Sequence, residues 1–292
     1  MEEVEVSVLC DIECELGEGP TYDPVSGSLF WLDIPGRKLL ERKWSGSETL
    51  VHPLPENTSA LAVVDDARQL LLTQTGLYLR DTATAALSLV KELEADNPAT
   101  RSNDARVHPC GAFWVSTMSR NVERGGGAIY WYMRGELTLL FPNITIANSI
   151  CFSPDGATAY FADTGSNILY RVACDPATGL PTAEPQILLD HGGVEGGFDG
   201  SVVDADGLIW NARWGSGALD CYAPDSKHLR RISVPAIQTT CPAFAGPDAT
   251  SLVVTSAWQG MDTKRRASDP HAGKTFLIGH PVRGRHEPRV AL

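Results

Sequence analysis

Short apolar runs recur along this chain, each opened by a polar turn cluster. The runs are LFWLDI (29–34), LLLTQT (70–75), FWVSTM (113–118), AYFADT (159–164), IWNARW (209–214) and LVVTSA (252–257). Ahead of them stand DPVSG (23–27), DDAR (65–68), HPCG (108–111), SPDG (153–156), DADG (204–207) and GPDA (246–249). Gly, Pro and Asp supply the turn backbones. Runs of about six residues rich in Trp, Phe, Val and Leu fit strands and are too short for stable helices. Only LSLVKELEA (87–95) has the spacing of an amphipathic helix, and the basic run Lys264-Arg265-Arg266 reads as exposed loop.

From one turn cluster to the next is roughly 40 to 50 residues, the repeat of one four-stranded propeller blade. Six repeats predict an all-β fold, a six-bladed β-propeller with a central channel, as one domain over residues 1–292. An α/β chain needs long helices between its strands, and the sequence offers none. A propeller left open exposes a strand edge. VEVSVLC (4–10) reads as a strand ahead of the first repeat, and pairing it with C-terminal strands would complete the last blade.

Composition narrows the function. With 43% hydrophobic and 21% charged residues, the chain can bury a core and lacks the signature of disorder. A formal net charge of −12, spread along the chain, excludes the basic footprint that a nucleic acid partner requires. Met1-Glu2-Glu3-Val4-Glu5 is acidic where a secretory signal is basic, and no apolar run reaches the roughly 18 residues of a membrane span. The expectation is a cytoplasmic chain with no membrane segment. Cys10, Cys14, Cys110, Cys151, Cys174, Cys221 and Cys241 form neither a CxxC pair nor a zinc spacing and read as small buried hydrophobes.

Just ahead of each turn cluster lies the segment expected to form the innermost strand of its blade, and each carries a polar residue. These are Glu18 in LGEGP, Ser59 in NTSAL, Asn103 and Asp104 in RSNDA, Asn148 in IANSI, Asp199 in FDGSV and Thr240 in TTCPAF. A pseudo-symmetric ring converges equivalent positions on its axis. Glu18, Asn103, Asn148 and Asp199 offer two carboxylates and two amide oxygens, a hard donor set for a divalent ion. Open coordination positions filled by water suit catalysis. No GxSxG elbow occurs, and none of the seven histidines shares this phase, so a serine-hydrolase route lacks its parts.

Nearly the whole chain resembles the senescence marker protein, regucalcin and gluconolactonase family of six-bladed propellers. The resemblance is carried by LGEGP (16–20), RSNDARV (101–107), FWVSTM (113–118), IANSICFSPDG (146–156), YFADT (160–164) and FDGSVVDADGLIW (198–210), in this order and spacing. It implies one divalent ion (Ca²⁺, Zn²⁺, Mg²⁺, Mn²⁺ or Fe²⁺) held by Glu18, Asn148 and Asp199, with Arg101 and Asn103 binding substrate. The implied activity is metal-dependent hydrolysis of a sugar lactone, an aldonolactone, to the free acid, with Asp199 as candidate general base. A phosphotriesterase acting on organophosphates at the same metal site is one alternative, and a non-catalytic calcium-binding regulatory propeller is another. Arg101 favours a polyhydroxylated substrate. Two departures from the family pattern, Ser149 where Gly is usual and Phe198 where Pro is common, are expected to reshape the pocket wall. The loop SRNVERG (119–125) has no acidic match at Arg120 or Asn121, and Asn121 is its expected substrate contact.

Overall fold

The six apolar runs fold as strands, and each is the second strand of a four-stranded antiparallel sheet in the computed structural model, which describes residues 4–292. The acidic opening Met1-Glu2-Glu3 lies outside the described residues. After β1 (Val6–Cys10) come five complete blades. They are β2–β5 (Gly17–Asp23, Ser28–Asp33, Lys38–Lys43, Thr49–Pro53), β6–β9 (Thr58–Val63, Arg68–Thr73, Gly76–Asp81, Leu87–Glu92) and β10–β13 (Thr100–Val107, Phe113–Ser119, Gly127–Met133, Glu136–Ile144). Then follow β14–β17 (Ala147–Phe152, Thr158–Asp163, Ile168–Ala173, Gln186–Asp190) and β18–β21 (Gly197–Val203, Ile209–Trp214, Ala218–Tyr222, His228–Ser233). The sixth blade takes β22 (Thr239–Ala245), β23 (Ser251–Ser256) and β24 (Thr275–Ile278) from the end of the chain and β1 from its beginning. The chain is a six-bladed β-propeller.

Burial explains the residue pattern. Second strands such as β3 and β11 are buried along their full length, so both faces are apolar and no alternation shows. Outermost strands such as β5, β9 and β21 are largely exposed, and β9 and β21 carry charges. Leu87–Glu92 is therefore an outer strand, not the expected helix. Leu89 stands opposite Tyr78, and the hydrogen bonds offered by the edge of β8 outweigh a helical spacing of only two turns. Among the described residues the one helix is α1 (Thr263–Ser268), where the basic run reads as loop, and Asp262 caps it by accepting the Arg265 N–H at 2.8 Å.

β1 closes the sixth blade as expected, antiparallel to β24 with Val6 opposite Ile278. Deleting residues 1–10 bares the edge of β24. The expected outcome is a melting temperature lower by roughly 10 °C, with concentration-dependent light scattering from edge pairing. An unchanged melting curve would show that β1 contributes nothing to the blade.

The chain divides into two compact units of three consecutive blades each. The first, formed by the chain up to Leu54 and by Gly193–His286, is filled by Trp31, Leu40 and Val253 in one cluster and by Trp210, Leu252 and Phe276 in another. The second, Pro55–Gly192 with Glu287–Leu292, is filled by Leu70, Phe113 and Tyr132 and by Trp114, Phe152 and Phe161. Its final residues have no regular structure yet are pinned there. The Val290 N–H donates to the Val63 carbonyl at 2.9 Å, the Ala291 N–H donates to the Gly111 carbonyl at 2.8 Å, and the Val290 side chain joins the core.

In the first unit a buried ionic cluster backs β18. Asp220, 1% exposed, accepts from both Arg231 Nε and Nη2 at 2.8 Å and from the Tyr222 hydroxyl at 3.0 Å, with His228 Nε2 at 3.1 Å. Fully buried Arg213 lies 3.8 Å from the same carboxylate and sets its guanidinium over the Phe198 ring, 4.3 Å from the centroid. Burial pushes the Asp220 carboxyl up, but the Arg231 and His228 bonds outweigh it and hold the group below its ordinary value.

Candidate active site

In every blade the innermost strand breaks its ladder at the polar positions picked out by the repeat. Glu18 and Asn148 are the last paired residues before the break, opposite Leu32 and Ala162. Asn103, Asp199 and Thr240 fall inside it, one position later, and Ser59 is the single extra residue of β6. The polar set expected at one phase is thus split over two successive positions. A bulge re-aims side chains at such a point. Where Glu18 and Asn148 precede the bulge, its first residue is left-handed, Gly19 at φ 56° and Ser149 at φ 58°. Glycine reaches that region freely. Buried Ser149 is held there against about 1–2 kcal/mol of strain, which is the physical reason a glycine suits this place.

The second unit brings Arg101, Asn103 and Asn148 together, and their hydrogen bonds set each amide's orientation. Asn148 Nδ2 donates to Thr164 Oγ1 at 2.9 Å, leaving Oδ1 to accept from Asn103 Nδ2 at 3.0 Å. Asn103 Nδ2 also donates to the Ala147 carbonyl at 2.8 Å, and Asn103 Oδ1 accepts from Arg101 Nη1 at 2.8 Å. Asn103 and Asn148 are 8% and 6% exposed, so these bonds act largely out of water. Two aspartates hold the surrounding backbone: Asp163, which the sequence reading did not select, and Asp104, which it placed at the repeat phase beside Asn103. Asp163 accepts the N–H groups of Thr145, Ile146 and Gly165 at 3.1, 3.0 and 3.0 Å. Asp104 accepts the Ile150 N–H at 2.7 Å and its neighbour's, Ala105, at 2.9 Å. Loss of water around the Asp104 carboxyl lifts its pKa to about 6, partly offset by Arg106, so at neutral pH the group is ionised and can only accept.

The first unit carries the two carboxylates on strands that flank β22. Glu18 is half-buried, and its Oε2 accepts the Gly19 N–H at 3.1 Å. Asp33 accepts the Leu16 N–H at 3.2 Å, just as Asp163 accepts that of Ile146, so a buried aspartate anchors the backbone two residues ahead of both Glu18 and Asn148. Asp199 is 4% exposed, and its carbonyl accepts from Asn211 Nδ2 at 3.1 Å. Gly200 lies against Cys241, where a Cβ would come within 2.4 Å of Sγ, so the residue after Asp199 has no room for a side chain. Thr240 Oγ1 donates to the Gly17 carbonyl at 2.5 Å. Phe198 does not line a pocket wall: it is fully buried in its blade beneath Arg213.

Asn121 sits on the exposed hairpin turn after β11, its N–H donating to Ser119 Oγ at 3.2 Å. His108 is structural and fully buried, with Nε2 at 2.9 Å from the Gly156 carbonyl and a pKa lowered by burial. All seven cysteines are free, and burial pushes the Cys14 thiol up to about 12. No group of three or more His, Cys, Asp or Glu side chains gathers in metal-binding proximity among the described residues, so a cation site here needs amide oxygens. Each unit offers donors of that kind: in the second, Asn148 Oδ1 has two lone pairs and faces Asn103 with one, and the first carries the carboxylates of Glu18 and Asp199. The aspartates missed earlier had a signal, an acid closing an otherwise apolar strand, as in Asp33 of LFWLDI and Asp163 of AYFADT.

Four of the six bulged strands carry acid or amide oxygens at the bulge, and the other two carry the hydroxyls of Ser59 and Thr240. The chain belongs to the SMP-30/Gluconolactonase/LRE-like family, whose sequence profile matches residues 16–258. A Rhizobium meliloti (strain 1021) protein with the provisional name of sugar lactone lactonase is 53% identical over 284 residues, covering 97% of this chain and 96% of that one. The L-arabinolactonase of Azospirillum brasilense is 36% identical over 279 residues, 94% of this chain and 91% of the relative. The crystal structure of a calcium-binding protein, regucalcin, from Agrobacterium tumefaciens strain C58 superimposes with a TM-score of 0.98 at 50% identity, covering 99% and 98% of the two chains. No described helix is long and apolar enough to cross a membrane.

Proposed function

We propose that this chain is a lactonase that opens the cyclic ester of a sugar lactone to the free acid, with one divalent cation held by Glu18, Asn148 and Asp199. Relatives named for lactone hydrolysis over nearly the full chain support the substrate class. The observation that supports the site is the orientation of Asn148, whose nitrogen is engaged by Thr164 and whose oxygen, accepting from Asn103 with one lone pair, keeps a second for a cation. When bound, the cation supplies Lewis-acid polarisation of the ester carbonyl. The chain's own residues do the rest. Asp199 takes the proton of the attacking water as general base. Arg101, steadied on Asn103 Oδ1 and the Ser102 carbonyl, binds substrate oxygens, and Asn103 orients both Arg101 and Asn148. Asn121, on its exposed turn, is the outer substrate contact.

Chelation tests this directly. Wild-type protein stripped with EDTA is expected to lose at least about 90% of its hydrolysis of freshly prepared aldonolactones and to regain it on addition of a single divalent cation. Aryl phosphate esters assayed in parallel are expected to turn over poorly, because a guanidinium beside two amides suits hydroxyl-rich substrates. Full lactone turnover after stripping would sink the cation assignment, and no turnover of any lactone with any cation would sink the enzyme reading in favour of a binding role.

A further inference from the structure

We infer that Asp104 is a positioning residue that sets Asn148 for cation binding by holding the backbone of the bulge that follows it, an inference that rests on the metal reading above. The β14 ladder passes from Asn148 opposite Ala162 to Cys151 opposite Tyr160, leaving Ser149 and Ile150 outside it. A buried N–H cut off from its ladder is strongly disfavoured unless another acceptor reaches it. The acceptor comes from the neighbouring blade, where Asp104 Oδ2 takes the Ile150 N–H at 2.7 Å. Asn103, the other residue of the β10 bulge, takes the opposite end of the same stretch by donating Nδ2 to the Ala147 carbonyl and to Asn148 Oδ1. Two adjacent bulge residues thus clamp Ala147 to Ile150 from both ends. Between the clamped ends lie the Asn148 side chain and Ser149 at φ 58°, a conformation that relaxes if either end is released.

The chemistry calls for a carboxylate. Asp104 Oδ1 receives the Ala105 N–H at 2.9 Å while Oδ2 receives that of Ile150, so both oxygens accept, one from each strand. An asparagine has one oxygen and would turn an NH₂ group against one of these donors. The ionised group also makes stronger hydrogen bonds than a neutral amide. Ser116 Oγ, donating to the Asp104 carbonyl at 2.7 Å, fixes the clamp's own backbone.

The test compares wild type, Asp104→Asn and Trp114→Phe. The last removes a hydrogen bond to the Gly179 carbonyl in the same unit and serves as a destabilised control. In cation-free protein, exchange of the Ile150 amide is expected to accelerate at least about tenfold in Asp104→Asn relative to amides of β15. Calcium or manganese affinity by titration calorimetry is expected to fall about ten- to a hundredfold, with excess cation restoring most of kcat. Trp114→Phe is expected to lower the melting temperature without changing cation affinity. Wild-type cation affinity in Asp104→Asn, or Ile150 exchange within twofold of wild type, overturns the inference. If the variant does not fold, wild type alone decides: an Ile150 amide exchanging as fast as an exposed turn amide overturns the clamp. A wild type that binds no cation and hydrolyses no lactone refutes the metal reading instead, and the Ile150 measurement distinguishes that failure from this one.

Discussion

Asp199→Asn is expected to cut kcat/KM on the hydrolysed lactone by about a thousandfold with the fold preserved. The replacement is isosteric, and contacts of the backbone and neighbours help to place residue 199: Asn211 on its carbonyl, Gly200 against Cys241, and Phe198 packed beneath Arg213. None of these depends on the carboxylate. On the proposed mechanism the variant loses the negative charge that favours a divalent ion and the basic oxygen that accepts the water's proton. Stopped-assay kinetics, a circular dichroism spectrum and cation titration on the same preparation separate the two losses. A folded Asp199→Asn protein with wild-type kcat/KM would remove Asp199 from the mechanism, whereas a lost rate with unchanged cation affinity would make it the base alone.

Asp220→Ala is the largest expected stability effect, about 3–5 kcal/mol in urea denaturation. The carboxylate is 1% exposed and compensates Arg213, which is fully buried, as well as the inner side of Arg231. Removing it leaves a cation in a place without water and orphans the Tyr222 hydroxyl. The pH dependence has a definite sign. Because the folded-state pKa of Asp220 is held below its unfolded value, its stabilising contribution is complete above about pH 4 and is lost as pH falls through the lower folded value. Wild type is therefore expected to lose urea resistance below about pH 4 more steeply than Asp220→Ala. Parallel curves would mean that the cluster does not govern acid stability.

The blades were legible because a second strand buried on both faces is mostly apolar, so its run stands out between turn residues. Outer strands were less so. Leu87–Glu92 keeps Leu89 half in water and borrows its order from β8, so nothing local distinguishes it from a helix. Repeat phase found the polar positions of the candidate site, but only to within one residue, since the extra residue of a bulge is invisible in a spacing count. Phe198 misled because its neighbour Asp199 is a site candidate, while Phe198 itself is fully buried beneath Arg213. Asp33 and Asp163 stand out as acids closing apolar runs and Asp104 shares the repeat phase, but what the three hold could not be read, because their partners are backbone N–H groups that leave no mark in a sequence. The ordered tail at Val290 and Ala291 was hidden for the same reason.

The pairing of β1 with β24 also has a consequence for how the protein is made. Val6 and its partner Ile278 are far apart in sequence, so β1 leaves the ribosome and must wait for β24 to be made. At ordinary rates of translation that wait is roughly a quarter of a minute to a minute. Throughout it Val6–Cys10 remains a solitary ribbon of mostly apolar residues, open to capture by chaperones or by the same segment of another nascent chain. Biogenesis is thus expected to be most vulnerable in the sixth blade, and mutations that slow synthesis or truncate the chain before Thr275 should reach the cell as aggregation before they appear as lost activity.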